Sequence, residues 1–153
     1  IMEIRIGSLT HPAVIALLEE HHQDMLIHSP PESVHALDLS SLAQENITFW
    51  SVWHNDELAG CGALKALDNS HGEIKSMRTS GNFLRQGVAK LLMEHILVEA
   101  NARGYHKLCL ETGTMAAFLP AQKLYQQLGF KQCQPFADYQ KDPYSTFMSK
   151  VIS

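Results

Sequence analysis

The chain has 153 residues, 45% of them hydrophobic, and a formal net charge of −4 at pH 7. This length and apolar content suffice for one hydrophobic core of ordinary size and exclude two, so residues 1–153 are expected to form a single domain. The acidic balance excludes a global basic field, so neither nucleic acid nor an acidic membrane is an expected partner.

The apolar runs, the cysteines and the histidines exclude further classes of protein. No apolar run approaches the roughly 20 residues of a membrane helix, and the first residues lack the pattern of a secretory leader, which predicts a cytoplasmic location. Cys61, Cys109 and Cys133 are widely spaced and odd in number, as expected of free thiols in a reducing compartment. The nine histidines lack the close spacing of metal ligands, so no metal is expected.

The N-terminal quarter predicts one strand and two helices. Polar and apolar residues alternate over residues 3–6, as in a strand. A helix is expected to begin at Thr10, with Pro12 in its first turn, and to end before the Ser-Pro-Pro segment at 29–31, because proline lacks an amide donor. A short second helix is expected over 33–43.

A meander of three strands is predicted next. Residues 47–54 are rich in β-branched and aromatic side chains, and a turn at 55–57 leads into a partner strand over 58–67. Small residues from 59 to 63 indicate a bulge or the close approach of another backbone. The third strand is expected over 71–79.

Two pairs of helix and strand complete the chain. Residues 84–87 lead into a helix that Gly104 is expected to close in a left-handed conformation. The apolar residues of this helix are predicted to share one face: Val88, Leu91, Leu92 and Ile96. The remaining elements are a strand at 107–112, a helix from Pro120 to Gly129, and strands at 130–133 and 146–152.

The predicted order of elements is β-α-α-β-β-β-α-β-α-β-β, and we find no internal repeat. An antiparallel meander followed by a strand–helix–strand crossover implies a mixed sheet with helices on its faces. The predicted fold class is therefore a single α/β domain.

The segment from 73 to 92 describes a strand, a loop and a helix whose first turn carries Gly87 and Ala89. The first amides of a helix lack internal partners and point the same way, so they form an anion site. Small residues let a diphosphate approach these amides, and Arg85 and Lys90 add positive charge. Alone, this pattern is also typical of an ordinary tight loop. The strand before it, the strand and helix behind it and the Tyr-x-x-x-Gly-Phe segment at 125–130 all fit one protein family, and the resemblance to that family favours the anion site.

Together these residues resemble the GNAT superfamily of acetyl-CoA-dependent N-acetyltransferases, whose signature is Gln/Arg-x-x-Gly-x-Gly/Ala. Aligned on its glycine, the chain has Leu84 where the family has Gln or Arg. The resemblance implies a mixed, mostly antiparallel sheet of about seven strands, splayed in the middle, with helices on both faces. It also implies acetyl-CoA as co-substrate, with its pyrophosphate at six residues: Arg85, Gln86, Gly87, Val88, Ala89 and Lys90.

In the family, two neighbouring parallel strands separate and the pantetheine arm of the cofactor lies between them. Carried over to this chain, the resemblance places the arm along Met77, Arg78 and Thr79 on one strand and Glu111 and Thr112 on the other. A sheet that opens leaves unpaired backbone groups, which an amide-bearing arm can satisfy. Met77 is equally well explained as a core methionine.

Tyr125 is the candidate catalytic residue at the leaving group. It shares a helix face with Ala121, Leu124 and Leu128, so packing alone explains it as a half-buried core residue. The resemblance instead makes its hydroxyl the hydrogen-bond donor to the departing thiolate, where it stabilises the developing charge. We expect this catalytic role.

Glu73 is the candidate catalytic base, directly or through a water, and Glu111 is held in reserve. Neutral amine at pH 7 costs roughly 4–5 kcal/mol for a lysine-like acceptor and about 1 kcal/mol for an α-amine, so the need for a base depends on the acceptor. Ordinary solvation at a strand edge explains Glu73 equally well. We expect no covalent intermediate, because the thioester is already activated and positioning supplies most of the acceleration.

The resemblance implies that the first helices and the late loops form the acceptor pocket, here 28–38 and 135–144. Asp38 and Asp138 are candidates for holding an ammonium, and Arg78 and His35 for holding a carboxylate; each is also an ordinary surface residue. A small-molecule amine or amino acid is expected over a protein amine, because no acidic groove for a basic peptide is legible. The sequence allows a homodimer. It also allows two rival functions, a non-catalytic acyl-CoA sensor and a plain interaction domain.

Overall fold

The computed structural model describes residues 1–35 and 38–153, in which a seven-stranded sheet carries four α-helices. The strands are β1 (Met2–Ile6), β2 (Ile47–His54), β3 (Glu57–Ala66), β4 (His71–Thr79), β5 (Lys107–Gly113), β6 (Lys131–Gln132) and β7 (Ser145–Val151). The helices are α1 (Pro12–His28), α2 (Leu39–Leu42), α3 (Val88–Ala102) and α4 (Leu119–Gln127). In these described ranges, every helix is too short or too polar to cross a membrane.

The strands lie side by side in the order β1-β2-β3-β4-β5-β7-β6. Neighbouring strands are antiparallel except for β4 and β5, which run parallel because α3 crosses over between them. The predicted meander and crossover are confirmed, and with them the mixed, mostly antiparallel sheet.

Helices cover both faces of the sheet, as expected. Alternation along β2 sends Phe49 and Trp53 to one face and Trp50 and Val52 to the other. The core on the first face is closed by α1 and α2, and the core on the second face by α3 and α4.

The sheet opens between β4 and β5. The two strands pair at four positions, the last of which is Ile74 opposite Leu110, although β4 continues to Thr79 and β5 to Gly113. Beyond that position the strands separate, which confirms the splay that the resemblance implies.

A bulge in β4 lies just beyond the point where this pairing ends. One residue of β3, Gly62, faces two residues of β4, Ser76 and Met77, and Ser76 has a φ of 57°. A bulge bends its strand and increases the local twist, so it turns the end of β4 away from its former neighbour. The Met77 thioether occupies the space that a Cβ on Gly62 would take. A Cβ on Gly60 would lie 2.9 Å from the backbone oxygen of Arg78, so the predicted close approach of another backbone to the small residues is confirmed.

The predicted helix over 33–43 is wrong in extent. α2 comprises a single turn, which begins where the Asp38 carboxylate accepts a hydrogen bond from the Ser41 amide at 2.8 Å. Its serines favour caps and turns over a longer helix. Pro31–Ser33 is a separate 3-10 turn, and residues 36 and 37 of the predicted helix lie outside the described residues.

The buried face of α3 also differs from the prediction at one position. Its buried residues are Val88, Leu92, Met93, Ile96 and Ala100. Val88, Leu92, Ile96 and Ala100 recur every four positions and form the centre of this face. Leu91 lies outside it and is exposed. Gly104 closes the helix with a φ of 79°, as predicted.

Candidate active site

A cavity of about 110 Å³, here called the wedge cavity, fills the opening between β4 and β5. Its walls come from both strands, from α1 and α4, and from the loop before β7. Six residues singled out from the sequence line it: His35, Glu73, Met77, Glu111, Thr112 and Tyr125. Elements that are distant in the chain therefore contribute to one space.

Tyr125 reaches the wedge cavity from α4. Burial, together with the negative charge of Glu111, raises the pKa of its phenol to about 12. The hydroxyl therefore stays protonated at neutral pH. It has no hydrogen bond to another residue of the described ranges, so it is available as a donor to a ligand.

Glu111 lies on β5 and faces the same cavity. Burial raises the pKa of its carboxyl to about 7; the positive charge of Lys75 opposes this shift and the negative charge of Glu73 adds to it. A carboxyl that titrates near neutral pH is suited to accept and release a proton.

Glu73 is buried rather than solvated at a strand edge, with 2% of its surface exposed. Its Oε2 accepts hydrogen bonds from Lys75 Nζ at 3.0 Å and from the Tyr139 hydroxyl at 2.6 Å. Lys75 Nζ also donates to the Tyr139 oxygen at 2.8 Å. These three residues, here called the Glu73 cluster, form one wall of the wedge cavity.

Tyr139 and Lys75 are site residues that the sequence did not single out. Tyr139 comes from the loop between β6 and β7, where its ring packs 5.1 Å from Phe136 and 5.5 Å from Phe147. The aromatic content of this loop is a local signal that it packs onto the sheet. Which ring reaches the cavity depends on the closure of the whole loop.

Arg78, expected as a ligand for an acceptor carboxylate, is already paired with two carboxylates of α1. Its guanidinium donates to Glu20 and to Asp24 of α1 at 2.7 Å each, so its charge is already matched. Thr79 pairs with Gly60 of β3. At Arg78 and Thr79 it is the backbone edge of β4 on the side of β5 that is free to bind a ligand, because β5 no longer pairs with it there.

Two histidines at the wedge cavity are neutral at pH 7. Burial, with the positive charge of Arg78, lowers the pKa of His21 to about 4. Burial and the charge of Lys75 also lower the pKa of His35. His35, expected as a carboxylate ligand, therefore lacks a positive charge, and its ring packs edge-on 5.0 Å from that of Tyr139.

The start of α3 presents free amides. Gly87 has a φ of 78°, and its carbonyl accepts the first helical hydrogen bond from the Leu91 amide at 2.9 Å. The amides of residues 87–90 precede this bond and have no acceptor within the helix. No atom of the described residues lies within 4 Å of a Cβ built on Gly87, so the space there is open.

This helix start packs beside the end of β4. A Cβ on Gly60 would meet a methyl group of Val88 at 2.9 Å, and Gly60 pairs with Thr79, the last residue of β4. Arg85 and Lys90 are exposed next to the free amides. The anion site and the opening of the sheet therefore adjoin.

A second cavity of about 440 Å³, here called the outer cavity, borders the wedge cavity. Four residues line both cavities and form the wall between them: His35, Glu73, Lys75 and Tyr139. Asp138 lines the outer cavity, within the loop expected to form the acceptor pocket. Asp38 lies elsewhere, because it caps α2 and faces a separate cavity beside α1.

Two of the three cysteine thiols, those of Cys61 and Cys109, do not resemble activated nucleophiles. Burial raises the pKa of Cys61 to about 12 and that of Cys109 to about 11, so both stay protonated. The described ranges hold no group of three His, Cys, Asp or Glu side chains arranged to bind a metal ion.

Comparison with known protein sequences gives a consistent result. Residues 14–130 match the model of the acetyltransferase (GNAT) family. The chain is 59% identical over 151 residues to an uncharacterized N-acetyltransferase of Bacillus subtilis, YsnE, and the match covers 99% of this chain and 100% of that protein.

Solved structures share the fold. A candidate acyl-CoA N-acyltransferase from Klebsiella pneumoniae has a TM-score of 0.82 at 28% identity, over 100% of this chain and 99% of the other. A GNAT family acetyltransferase from Elizabethkingia anophelis, solved with acetyl-CoA bound, has a TM-score of 0.70 at 20% identity, over 98% and 97% of the two chains.

Proposed function

The chain belongs to the GNAT family of acetyltransferases, and on that premise we propose that it moves an acetyl group from acetyl-CoA to the primary amine of a small molecule or amino acid. The amine attacks the thioester directly while both substrates are bound. The observation that carries the proposal is the wedge cavity, where an opened sheet edge, Tyr125 and Glu111 line one space.

The start of α3 is the proposed site for the cofactor's pyrophosphate. The free amides of residues 87–90 and the helix dipole favour an anion there, and Arg85 and Lys90 add charge beside them. Gln86 lies in the same turn, between Arg85 and the first free amide. The acetyl-CoA bound by the Elizabethkingia protein of the same fold supports this choice of co-substrate.

The free edge of β4 is the proposed site for the pantetheine arm. The backbone of Met77, Arg78 and Thr79 lies beyond the last pairing with β5, and Thr112 faces it across the opening. An extended, amide-bearing arm can add to such an edge as an extra strand does. The arm would then lead from the start of α3 into the wedge cavity.

Tyr125 is the proposed catalytic residue at the leaving group. A phenol with a pKa of about 12 does not hand its proton to a thiolate of pKa about 8.5, but it donates a hydrogen bond to one. Its role is therefore to stabilise the charge that develops on sulfur.

Glu73 and Glu111 are the candidate bases, and their surroundings favour Glu111. One oxygen of Glu73 already accepts two hydrogen bonds within the Glu73 cluster, so this carboxylate is engaged in holding Lys75 and Tyr139. Glu111, with a pKa of about 7, is partly ionised at neutral pH and is better matched to proton transfer.

The test is the release of free thiol from acetyl-CoA in the presence of a panel of amines, amino acids and a basic peptide. Release that depends on an amine or an amino acid is expected. Binding of acetyl-CoA without amine-dependent release would contradict the proposal and indicate a sensor. Release with the peptide alone would move the acceptor to a protein amine.

A further inference from the structure

The outer cavity has the size and position of an acceptor site. Its volume of about 440 Å³ lies within the range of about 300–1,000 Å³ of small-molecule sites. The Glu73 cluster and His35 separate it from the wedge cavity. A molecule in the outer cavity therefore meets the wedge cavity at this wall.

Most charged groups of the outer cavity are already paired or lie in water. Lys75 and Glu73 neutralise each other across 3.0 Å. Asp142 accepts hydrogen bonds from the Ser33 hydroxyl at 2.6 Å and from the Tyr144 amide at 2.8 Å. Water and salt screen the charges of the exposed residues: Glu32, Asp138 and Lys141.

Lys65 differs from all of these. It is half-buried on β3, directly opposite Glu73, and it lines the outer cavity. Within the described residues it forms no salt bridge, whereas the neighbouring Lys75 is paired with Glu73. A half-buried lysine without a salt bridge favours an anionic partner, and it repels a second cation.

We propose that Lys65 binds the carboxylate of an amino-acid acceptor, whose amine then faces the wall formed by the Glu73 cluster. The other residues considered for this carboxylate do not serve, because Arg78 is paired with two carboxylates and His35 is neutral. The inference rests on the proposed acetyl transfer and narrows its acceptor from amines in general to amino acids.

Matched pairs of acceptors test this recognition: phenylalanine against phenethylamine, tryptophan against tryptamine, and leucine against isoamylamine. Each amine lacks the carboxylate of its partner and keeps the rest of the molecule. Thiol release is measured for the wild type, for Lys65→Met, which keeps the apolar stem, and for Lys107→Met. Lys107 is a half-buried strand lysine that lines neither cavity, so it is the matched control.

The wild type is expected to prefer at least one amino acid over its matched amine. Lys65→Met is expected to lower kcat/KM for that amino acid by about ten- to a hundredfold, the effect of one charged hydrogen bond. Its kcat/KM for the amine and its KM for acetyl-CoA stay unchanged, and Lys107→Met behaves as the wild type. Because each variant is compared with the wild type on the same compound, differences in amine basicity cancel.

Three results would overturn the inference. In the wild type, a preference for the amines over their amino acids would do so whether or not any variant folds. An equal loss on both members of a pair in Lys65→Met would assign Lys65 a structural role. Both results leave the proposed acetyl transfer intact, whereas the absence of thiol release with every acceptor would overturn the transfer and this inference together.

Discussion

At the residue scale, Tyr125 and Glu111 owe their proposed roles to burial. Each would form a negative charge away from water, so each pKa is raised: that of the phenol to about 12 and that of the carboxyl to about 7. The first shift keeps a hydrogen-bond donor in place at neutral pH, and the second creates a group that exchanges protons there.

Tyr125→Phe removes one hydroxyl and keeps the ring, which packs 6.1 Å from that of Phe130. Losing one donor to the leaving sulfur is expected to lower kcat by about a hundredfold without changing the affinity for acetyl-CoA. Steady-state thiol release measures the first quantity and calorimetry the second. An unchanged kcat would return Tyr125 to a packing role.

Glu111→Gln is expected to change the dependence of the rate on pH. In the wild type, kcat/KM rises with a midpoint of about 7 as Glu111 ionises, and the variant lacks this rise. The variant recovers in part at alkaline pH, where the solvent supplies neutral amine. The defect at neutral pH is several kcal/mol for a lysine-like acceptor and about 1 kcal/mol for an α-amine. If the two profiles overlay, Glu111 is not the base, and Glu73 becomes the candidate.

Thermal unfolding is the stability control for two carboxylate variants, Glu111→Gln and Glu73→Gln. The pKa of Glu111 is raised from 4.5 to about 7, so its contribution to stability is full below pH 4.5 and is lost as the pH rises through 7. Glu111→Gln avoids that loss, and its Tm should exceed that of the wild type at pH 8 but not at pH 4.5. Glu73→Gln should instead lower the Tm, because it leaves Lys75 buried without a counter-charge at a cost of about 3–5 kcal/mol.

At the scale of elements, two backbone features create the proposed cofactor site. The bulge at Ser76 and Met77 turns β4 away from β5, and the left-handed Gly87 starts α3 with its free amides beside the end of β4. Neither feature requires a charged side chain. This explains how the proposed cradle tolerates Leu84 at the position where the family has Gln or Arg.

Gly87→Glu is expected to weaken the binding of acetyl-CoA by about ten- to a hundredfold, because it adds bulk and negative charge at the anion site. Gly104→Glu is the matched control. Both glycines have a φ near 80° and open space around a Cβ, so both variants carry the same backbone strain of about 1–2 kcal/mol. Calorimetry with acetyl-CoA measures both affinities. Equal affinities in the two variants would locate the pyrophosphate elsewhere.

The elements themselves were largely predictable from local pattern. All seven strands and α1, α3 and α4 occur where hydrophobic period, proline and glycine indicated. The errors fall where local signals conflict. Two serines after the Asp38 cap hold α2 to one turn, and Leu91 fits the apolar period of α3 without facing the core.

At the scale of the whole molecule, the order of elements was sufficient to predict the topology, because a meander followed by a crossover allows few sheets. It also placed Glu73, Glu111 and Tyr125 on elements that meet. It did not reveal Tyr139 or Lys65. The proposed role of Lys65 depends on the strand register that sets it opposite Glu73. Tyr139 reaches the site only because its loop closes over Glu73, which is 66 positions away in the chain.

The proposed function requires that two substrates meet in the opened sheet and react without a covalent enzyme intermediate. Initial rates of thiol release, measured while acetyl-CoA and the acceptor are varied together, test this claim most directly. Direct transfer within a ternary complex predicts double-reciprocal lines that intersect. Parallel lines, the mark of an acetylated enzyme that forms before the acceptor binds, would contradict it.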